Sequence, residues 1–313
     1  MRSEGAATEI GQPYAIAEGE VRLPDGRGLA WAEYGDPRGA PVIYCHGFPG
    51  SRSQAGLAHA DAARLGIRMI GIDRPGIGRS HAAPGRRLVD WPADVSGVAD
   101  ALGLGRFAVL GLSGGGPYAA ACARLIPKRL IAVAIVSGLG PPESWPEARA
   151  MRWVARVGLR LAAAFPAVAG AVFGATARGI VRDADRMLAL VERSYSAPDR
   201  AVLMRPEVRR LILASFREGV RQGGTYLAQD LALLARPWGF RLEEVEIPVD
   251  LWHGEVDNVV PPGMGRHVAA RIPACRAHFL PGEGHFSLAI DHTAAILSTL
   301  MASRRAPEPG RPS

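Results

Sequence analysis

Through its first 140 residues the chain alternates short apolar runs with longer amphipathic stretches, and that rhythm predicts its architecture. Pro41-Val-Ile-Tyr-Cys45, Arg68 to Ile72, Phe107 to Leu112 and Leu130 to Val136 are apolar runs bounded by glycine, proline or charge. Continuous runs of that length read as strands covered on both faces. Helical stretches such as Gln54 to Leu65 and Asp90 to Leu102 fall between them, and such alternation argues for a parallel sheet with crossover helices. Upstream, Glu20 to Tyr34 reads as a strand, a Pro-Asp-Gly turn and a second strand. After Ser137-Gly-Leu-Gly-Pro-Pro142 the strand rhythm stops, and residues 143–239 carry helical periodicities, arginine-rich faces and several prolines. It resumes with Val249 to Gly254 and Arg276 to Leu280. The expected division is an extension (1–18), a core built from 19–142 and 240–303, an inserted helical unit (143–239) and a Pro-rich disordered tail (304–313).

One apolar run breaks into glycines around a single hydroxyl: Phe107-Ala-Val-Leu-Gly-Leu-Ser-Gly-Gly-Gly-Pro117. A buried strand, a very tight turn and a helix start are expected here. The spacing of Gly111, Ser113 and Gly115 is that of a nucleophile elbow. The serine takes a strained backbone angle that lifts its hydroxyl off the sheet, while small neighbours let strand and helix cross closely. The helix start also leaves backbone N–H groups free to face a reacting oxygen. A second N–H must come from a loop after an earlier strand, and Cys45 runs directly into His46-Gly-Phe-Pro-Gly50. His46 is read either as a base or as a loop histidine held by a local hydrogen bond, and the latter is favoured.

The later chain supplies an acid and a base. Asp257 lies just past the strand ending at Gly254, and His285 sits in the glycine-rich loop Pro281 to Ser287 after the following strand. A serine hydroxyl needs a base to take its proton, and a carboxylate fixes the imidazole's tautomer and stabilises its charge. Ser113, Asp257 and His285 are therefore the expected triad. Asp250 and Glu255 are the alternative acids. His253 is expected to support the acid loop, His267 and His278 to pack or face solvent, and Asp73 and Arg74 to form a turn.

These motifs, with Asp73-Arg-Pro-Gly-Ile-Gly-Arg-Ser80, resemble the capped members of the α/β-hydrolase superfamily over most of residues 19–302. The resemblance implies an eight-stranded, mostly parallel sheet with helices on both faces and an inserted helical cap that roofs the substrate pocket. It implies an oxyanion hole from the backbone N–H groups of Phe48 and Gly114. It implies chemistry with no metal or organic cofactor. Ser113 at the nucleophile position excludes the family's aspartate-dependent epoxide hydrolases and haloalkane dehalogenases. A serine hydrolase of small-molecule esters or related carbonyl compounds is the leading expectation. Alternatives are a peptidase releasing N-terminal proline, a carbon–carbon bond hydrolase, a perhydrolase or haloperoxidase, a hydroxynitrile lyase, and a non-catalytic ligand receptor. Phe48 stands where the proline-releasing peptidases show a second glycine, a departure from that pattern.

Composition refines the picture. With 48% hydrophobic residues, 313 residues suffice for one large core plus an insertion. The net charge of +7 is carried almost wholly by scattered arginines, Lys128 being the single lysine, so no nucleic-acid partner is expected. Cys45, Cys122 and Cys275 are isolated, which points to buried thiols, no metal site and a cytoplasmic location. The uncharged stretch Leu161 to Ala177 contains Pro166 and breaks at small residues, so it reads as a lid facing an apolar pocket rather than a transmembrane span. Phe165, Phe173, His46 and Phe286 are the expected pocket residues. The expected partner is a small molecule with an apolar portion, with a homodimer left open.

Overall fold

The computed structural model describes residues 14–303, so most of the expected extension and the whole tail lie outside the described residues. Eight strands form one sheet: β1 (Ala17–Arg22), β2 (Gly28–Gly35), β3 (Ala40–Cys45), β4 (Ile67–Ile72), β5 (Phe107–Leu112), β6 (Leu130–Val136), β7 (Val249–Gly254) and β8 (Cys275–Leu280). Their order across the sheet is β1-β2-β4-β3-β5-β6-β7-β8. β2 runs antiparallel to both β1 and β4, and every pairing from β4 through β8 is parallel.

The helices are α1 (His59–Arg64), α2 (Trp91–Ala101), α3 (Gly116–Leu125), α4 (Trp153–Ala164), α5 (Pro166–Glu192), α6 (Ala197–Leu203), α7 (Pro206–Gly219), α8 (Gly224–Leu234), α9 (Pro262–Arg271), α10 (His285–Asp291) and α11 (Thr293–Ser303). α4 to α8, preceded by a 3-10 segment at Pro142–Ala150, all fall between β6 and β7. The sheet is thus interrupted by one helical insertion.

β5 is buried at all six positions, as a central parallel strand should be, and the pleat sorts its side chains. Phe107 and Val109 face a core with Trp91, Val95 and Tyr118 from α2 and α3. Ala108, Leu110 and Leu112 face a second core with Ala62 of α1 and Ile296, Leu297 and Leu300 of α11. A third apolar cluster lies beneath the insertion, joining Ala177, Ile180, Ala184 and Leu188 of α5 to Leu203, Ile212, Leu227 and Phe286.

The stretch expected as one helix from Gln54 divides into a 3-10 segment, Arg52–Ala58, and the short α1. The cause is polar anchoring. Arg52 is almost fully buried; its backbone N–H and guanidinium each donate to Asp73 at 2.6 Å, and the guanidinium also donates to Glu218 at 2.7 Å. β4 passes so close that a side chain on Gly71 would strike the Arg52 carbonyl. α5 also departs from a single cylinder: Asp183 leaves helical geometry (φ −158°, ψ 83°), and its Oδ1 accepts the Arg186 N–H at 2.9 Å, capping the second half.

A buried polar cluster holds the insertion on the sheet. Asp230 of α8 accepts from Arg74 and Arg86 at 2.7 Å each and from the Tyr118 hydroxyl at 2.8 Å. The Arg74 guanidinium also lies over the Tyr118 ring, 4.7 Å from its centroid. Burial alone would raise the Asp230 carboxyl, but the two guanidinium groups hold it well below the usual carboxylate range. Removing one member of a buried ion cluster strands the others. Asp230→Ala is therefore expected to lose about 3–5 kcal/mol of stability. Urea unfolding checks it: the midpoint falls, with little change in slope.

Candidate active site

Ser113 follows β5 directly and begins a 3-10 turn, Ser113–Gly115, that runs into α3. Its φ of +55° lies in the left-handed region that a residue with a side chain rarely adopts. The neighbouring glycines are steric requirements. A side chain on Gly111 would strike the Gly115 carbonyl, and one on Gly115 would strike the Cys45 carbonyl. The elbow therefore exists only because three chain segments meet there at backbone contact.

The loop after β3 arrives on the same side. A side chain on Gly47 would lie 3.3 Å from the Ser113 Cβ, and one on Gly114 would lie 3.4 Å from the Phe48 nitrogen, so the two amides implied for an oxyanion hole are neighbours. The Gly47 N–H donates to Gln54 Oε1 at 2.6 Å, and the Ser51 N–H donates to Ser215 Oγ at 3.0 Å.

His46 does not reach the pocket, which corrects its placement there. It is fully buried beneath the loop, with Nδ1 2.9 Å from the Gly47 carbonyl and Nε2 accepting the Arg74 N–H at 3.3 Å. These contacts require the neutral Nδ1–H tautomer. Burial, reinforced by the Arg74 charge, holds its pKa well below the ordinary value. Arg74 donates to the carbonyls of both His46 and Gly47. Asp73 and Arg74 thus do more than form a turn: their buried side chains anchor two loops of the site.

Asp257 and His285 meet at 2.7 Å between Oδ2 and Nδ1. The other carboxylate oxygen accepts the N–H groups of Val259 and Val260 at 2.8 and 2.9 Å, which fixes its plane. Burial alone would lower the His285 pKa, but the charge and hydrogen bond of Asp257 together with the Asp199 charge outweigh it, and the value is raised. His253 braces this loop from below, with Nε2–H donating to the Val260 carbonyl at 2.8 Å. The rival acids are engaged elsewhere. Asp250 binds Arg276 at 2.6 Å, and Glu255 binds Arg266 outside the site. His278 stacks on Trp252 at 4.1 Å between centroids, and His267 lies on α9.

One residue at this site gave no signal in the sequence. Asp199 of α6 is fully buried and accepts the N–H groups of His285 (3.0 Å), Phe286 (2.7 Å) and Ser287 (3.0 Å), with Ser196 Oγ donating to it at 2.7 Å. A carboxylate from the insertion therefore caps the helix that carries His285. N-cap acids are normally found by their place just before a helix. Asp199 precedes α10 by 86 positions, so local pattern could not reveal it.

Two cavities flank Ser113. One, of 180 Å³, is lined by Ser113, His285, Phe286, Phe216 and the α5 residues Thr176, Ile180, Ala184, Met187, Leu188 and Val191. The other, of 260 Å³, is lined by Ser113, Gly114, Leu139, Met151, Arg152, Leu159, Phe173, Leu231 and Leu234. Phe48, Pro49, Val191, Tyr195 and Val259 line both. Phe173 faces the site, its ring edge-on to Phe48 at 6.3 Å. Phe165 does not: it is 62% exposed, as are Val168 (53%) and Val172 (49%). Helix geometry explains the correction. Ala169, Phe173, Ala177, Ile180, Ala184 and Leu188 follow one another at intervals of three or four and form the inward stripe of α5, leaving Val168 and Val172 off that stripe, while Phe165 is the non-helical residue (φ −136°) between α4 and α5 and so escapes the period altogether.

The sheet order, the elbow and the convergence of the loops after β3, β5, β7 and β8 define the class. The chain belongs to the α/β-hydrolase fold family, whose model matches residues 40–291. It is 34% identical over 128 residues to a proline iminopeptidase of Neisseria gonorrhoeae, 39% of each chain, and 33% identical over 125 residues to a non-heme chloroperoxidase of Streptomyces lividans, 39% of this chain and 45% of that one. The chain thus matches about two-fifths of the length of those relatives. Among solved structures it is similar to an esterase of Thermogutta terrifontis (TM-score 0.60, 24% identity, covering 92% of this chain and 100% of that one). It is also similar to an enol-lactonase of Burkholderia xenovorans (0.65, 21%, covering 91% and 99%). These two likenesses concern the fold. Among the described residues no helix is long and apolar enough to cross a membrane, and no cluster of metal-binding side chains is present.

Asp199→Ala is expected to cost about 1–2 kcal/mol, the value of a lost helix cap. Amide hydrogen exchange localises it: protection falls at residues 285–287, while the amides of β5 keep theirs.

Proposed function

We propose that the protein is a serine hydrolase of small-molecule esters or related carbonyl compounds, acting through an acyl-enzyme. His285 takes the Ser113 proton as the oxygen attacks the carbonyl carbon, and the N–H groups of Phe48 and Gly114 donate to the resulting oxyanion. The imidazolium, paired with Asp257, then returns that proton to the leaving group as its bond to carbon breaks. A water molecule activated by the same imidazole releases the acid and restores Ser113. The observation that carries this reading is the buried Asp257–His285 pair opening into the same cavity as a serine held at positive φ. Residues 143–239 serve as the cap, setting substrate choice while the sheet loops carry the chemistry.

The Neisseria relative supports a second reading, release of N-terminal proline. A peptidase of that kind needs a carboxylate to hold the substrate's amine, and no Asp or Glu lines either cavity. Glu192 is bound to Arg209 and Glu218 to Arg52 at 2.7 Å each, and Glu207 is exposed. Neither cavity therefore offers a counter-charge to a substrate ammonium, and their largely apolar walls suit an ester's carbon chain instead.

A fluorophosphonate probe followed by peptide mapping is expected to label Ser113, and p-nitrophenyl esters to be turned over in preference to proline p-nitroanilide. Absence of the label from folded protein, or preference for the anilide, contradicts the reading. Because the base must be neutral and its pKa is raised, kcat/KM should increase with pH through a midpoint above the ordinary histidine value of 6.5. Asp257→Asn removes the main charge responsible, so the midpoint falls while kcat drops by roughly 10⁴-fold. Phe173→Ala should raise KM or shift the preferred chain length, whereas Phe165→Ala leaves selectivity unchanged across a graded ester series.

A further inference from the structure

The residues lining the 260 Å³ cavity are apolar except at the Ser113 elbow, Tyr195 and Arg152. Arg152, immediately before α4, has its backbone N–H bonded to the Asn258 carbonyl at 3.1 Å, one residue from Asp257. Its guanidinium lies over the Tyr195 ring, 4.6 Å from the centroid. The other buried arginines of this region are neutralised: Arg52 by Asp73, and Arg74 and Arg86 by Asp230, at 2.6–2.7 Å. Among the described residues no carboxylate pairs with Arg152. The aromatic face attracts the cation and the Arg152 side chain also hydrogen-bonds Tyr195, but a neutral phenol supplies no counter-charge. A half-buried cation on an apolar wall is costly unless something anionic reaches it.

The two cavities are not equivalent. His285 lines the smaller one and is absent from the lining of the larger, whereas Gly114 lines only the larger. A leaving group must lie beside the imidazolium that protonates it. It therefore takes the His285 side, and the acyl portion takes the side that holds Arg152. Resting on the acyl-transfer reading above, we infer that the substrate's acyl portion carries an anionic group, a carboxylate in the simplest case, received by Arg152. The substrate class is then the monoester of a dicarboxylic acid, with a short apolar spacer between the reacting carbonyl and the carboxylate. Arg suits this role better than Lys because its planar fork meets a carboxylate with two hydrogen bonds.

The test compares mono-p-nitrophenyl adipate with its methyl diester, which has nearly the same shape but no charge. Wild type is expected to favour the monoanion in kcat/KM by about 10-fold or more, the scale of one desolvated charge pair. Arg152→Gln brings that ratio towards one, and Arg152→Lys recovers part of it. A wild-type ratio near one, or a ratio that Arg152→Gln leaves unchanged, overturns the inference. Calorimetric titration with adipate reads the subsite without catalysis: binding weakened about 10-fold in Arg152→Gln supports it, and equal binding overturns it. Failure of the hydrolase reading has a different signature, since Ser113 would then remain unlabelled and both esters intact. Adipate binding would still decide the subsite. Melting temperatures of both variants establish that the comparison is made on folded protein.

Discussion

The Asp230 carboxylate, buried among two guanidinium groups and a tyrosine hydroxyl, is the interaction on which the geometry of the site depends. Asp230 belongs to the insertion, whereas Arg74, Arg86 and Tyr118 belong to the sheet's loops and α3. Arg74 continues the chain of contacts to the carbonyls of His46 and Gly47, and so to the loop that presents the Phe48 N–H. Every member is desolvated, so each is tolerable only in the presence of the others. The same bonds that seat the insertion therefore position the loop that packs beside Ser113.

A second bridge has the same logic at the opposite end of the site. Asp199 reaches from α6 to the N-terminus of α10 and satisfies three N–H groups that a helix start leaves open. His285 is the first residue of that helix, so its backbone is held by the insertion while its ring is held by Asp257. The helical unit is thus joined by buried polar contacts to the loop after β3 on one side and to the His285 helix on the other. Its apolar residues shape the cavities between those two attachments.

Electrostatics divides the site. The Asp257 side favours a protonated imidazole, and the His46 side enforces a neutral one. One histidine can exchange a proton, while the other serves as a fixed hydrogen-bonding strut. Both are buried, so the difference comes from the neighbouring charge: a carboxylate beside His285 and a guanidinium beside His46.

Local pattern in the sequence determined the central strands β3 to β6, because apolar runs of five to seven residues have few alternatives when flanked by glycine and proline. It also determined the elbow, where Gly111 and Gly115 are dictated by backbone contact, and the order of Ser113, Asp257 and His285 along the chain. Tertiary structure decided what depends on which face of a helix turns inward and on which distant groups meet. Phe165 and Phe173 are both aromatic residues in one apolar stretch, yet the chain breaks at Phe165 between two helices and leaves it in solvent, while Phe173 sits on the inward stripe of α5 and lines the cavity. His46 carries no local mark separating a pocket wall from a buried strut; the Arg74 N–H that donates to its Nε2 made it the latter. Asp199, Asp230 and Arg152 look like ordinary charges on helical segments, and only the folding of the insertion onto the sheet brings them to the site. Hydrophobic periodicity records which residues leave water, but a long-range polar contact leaves no periodic trace, since its partners lie far apart along the chain.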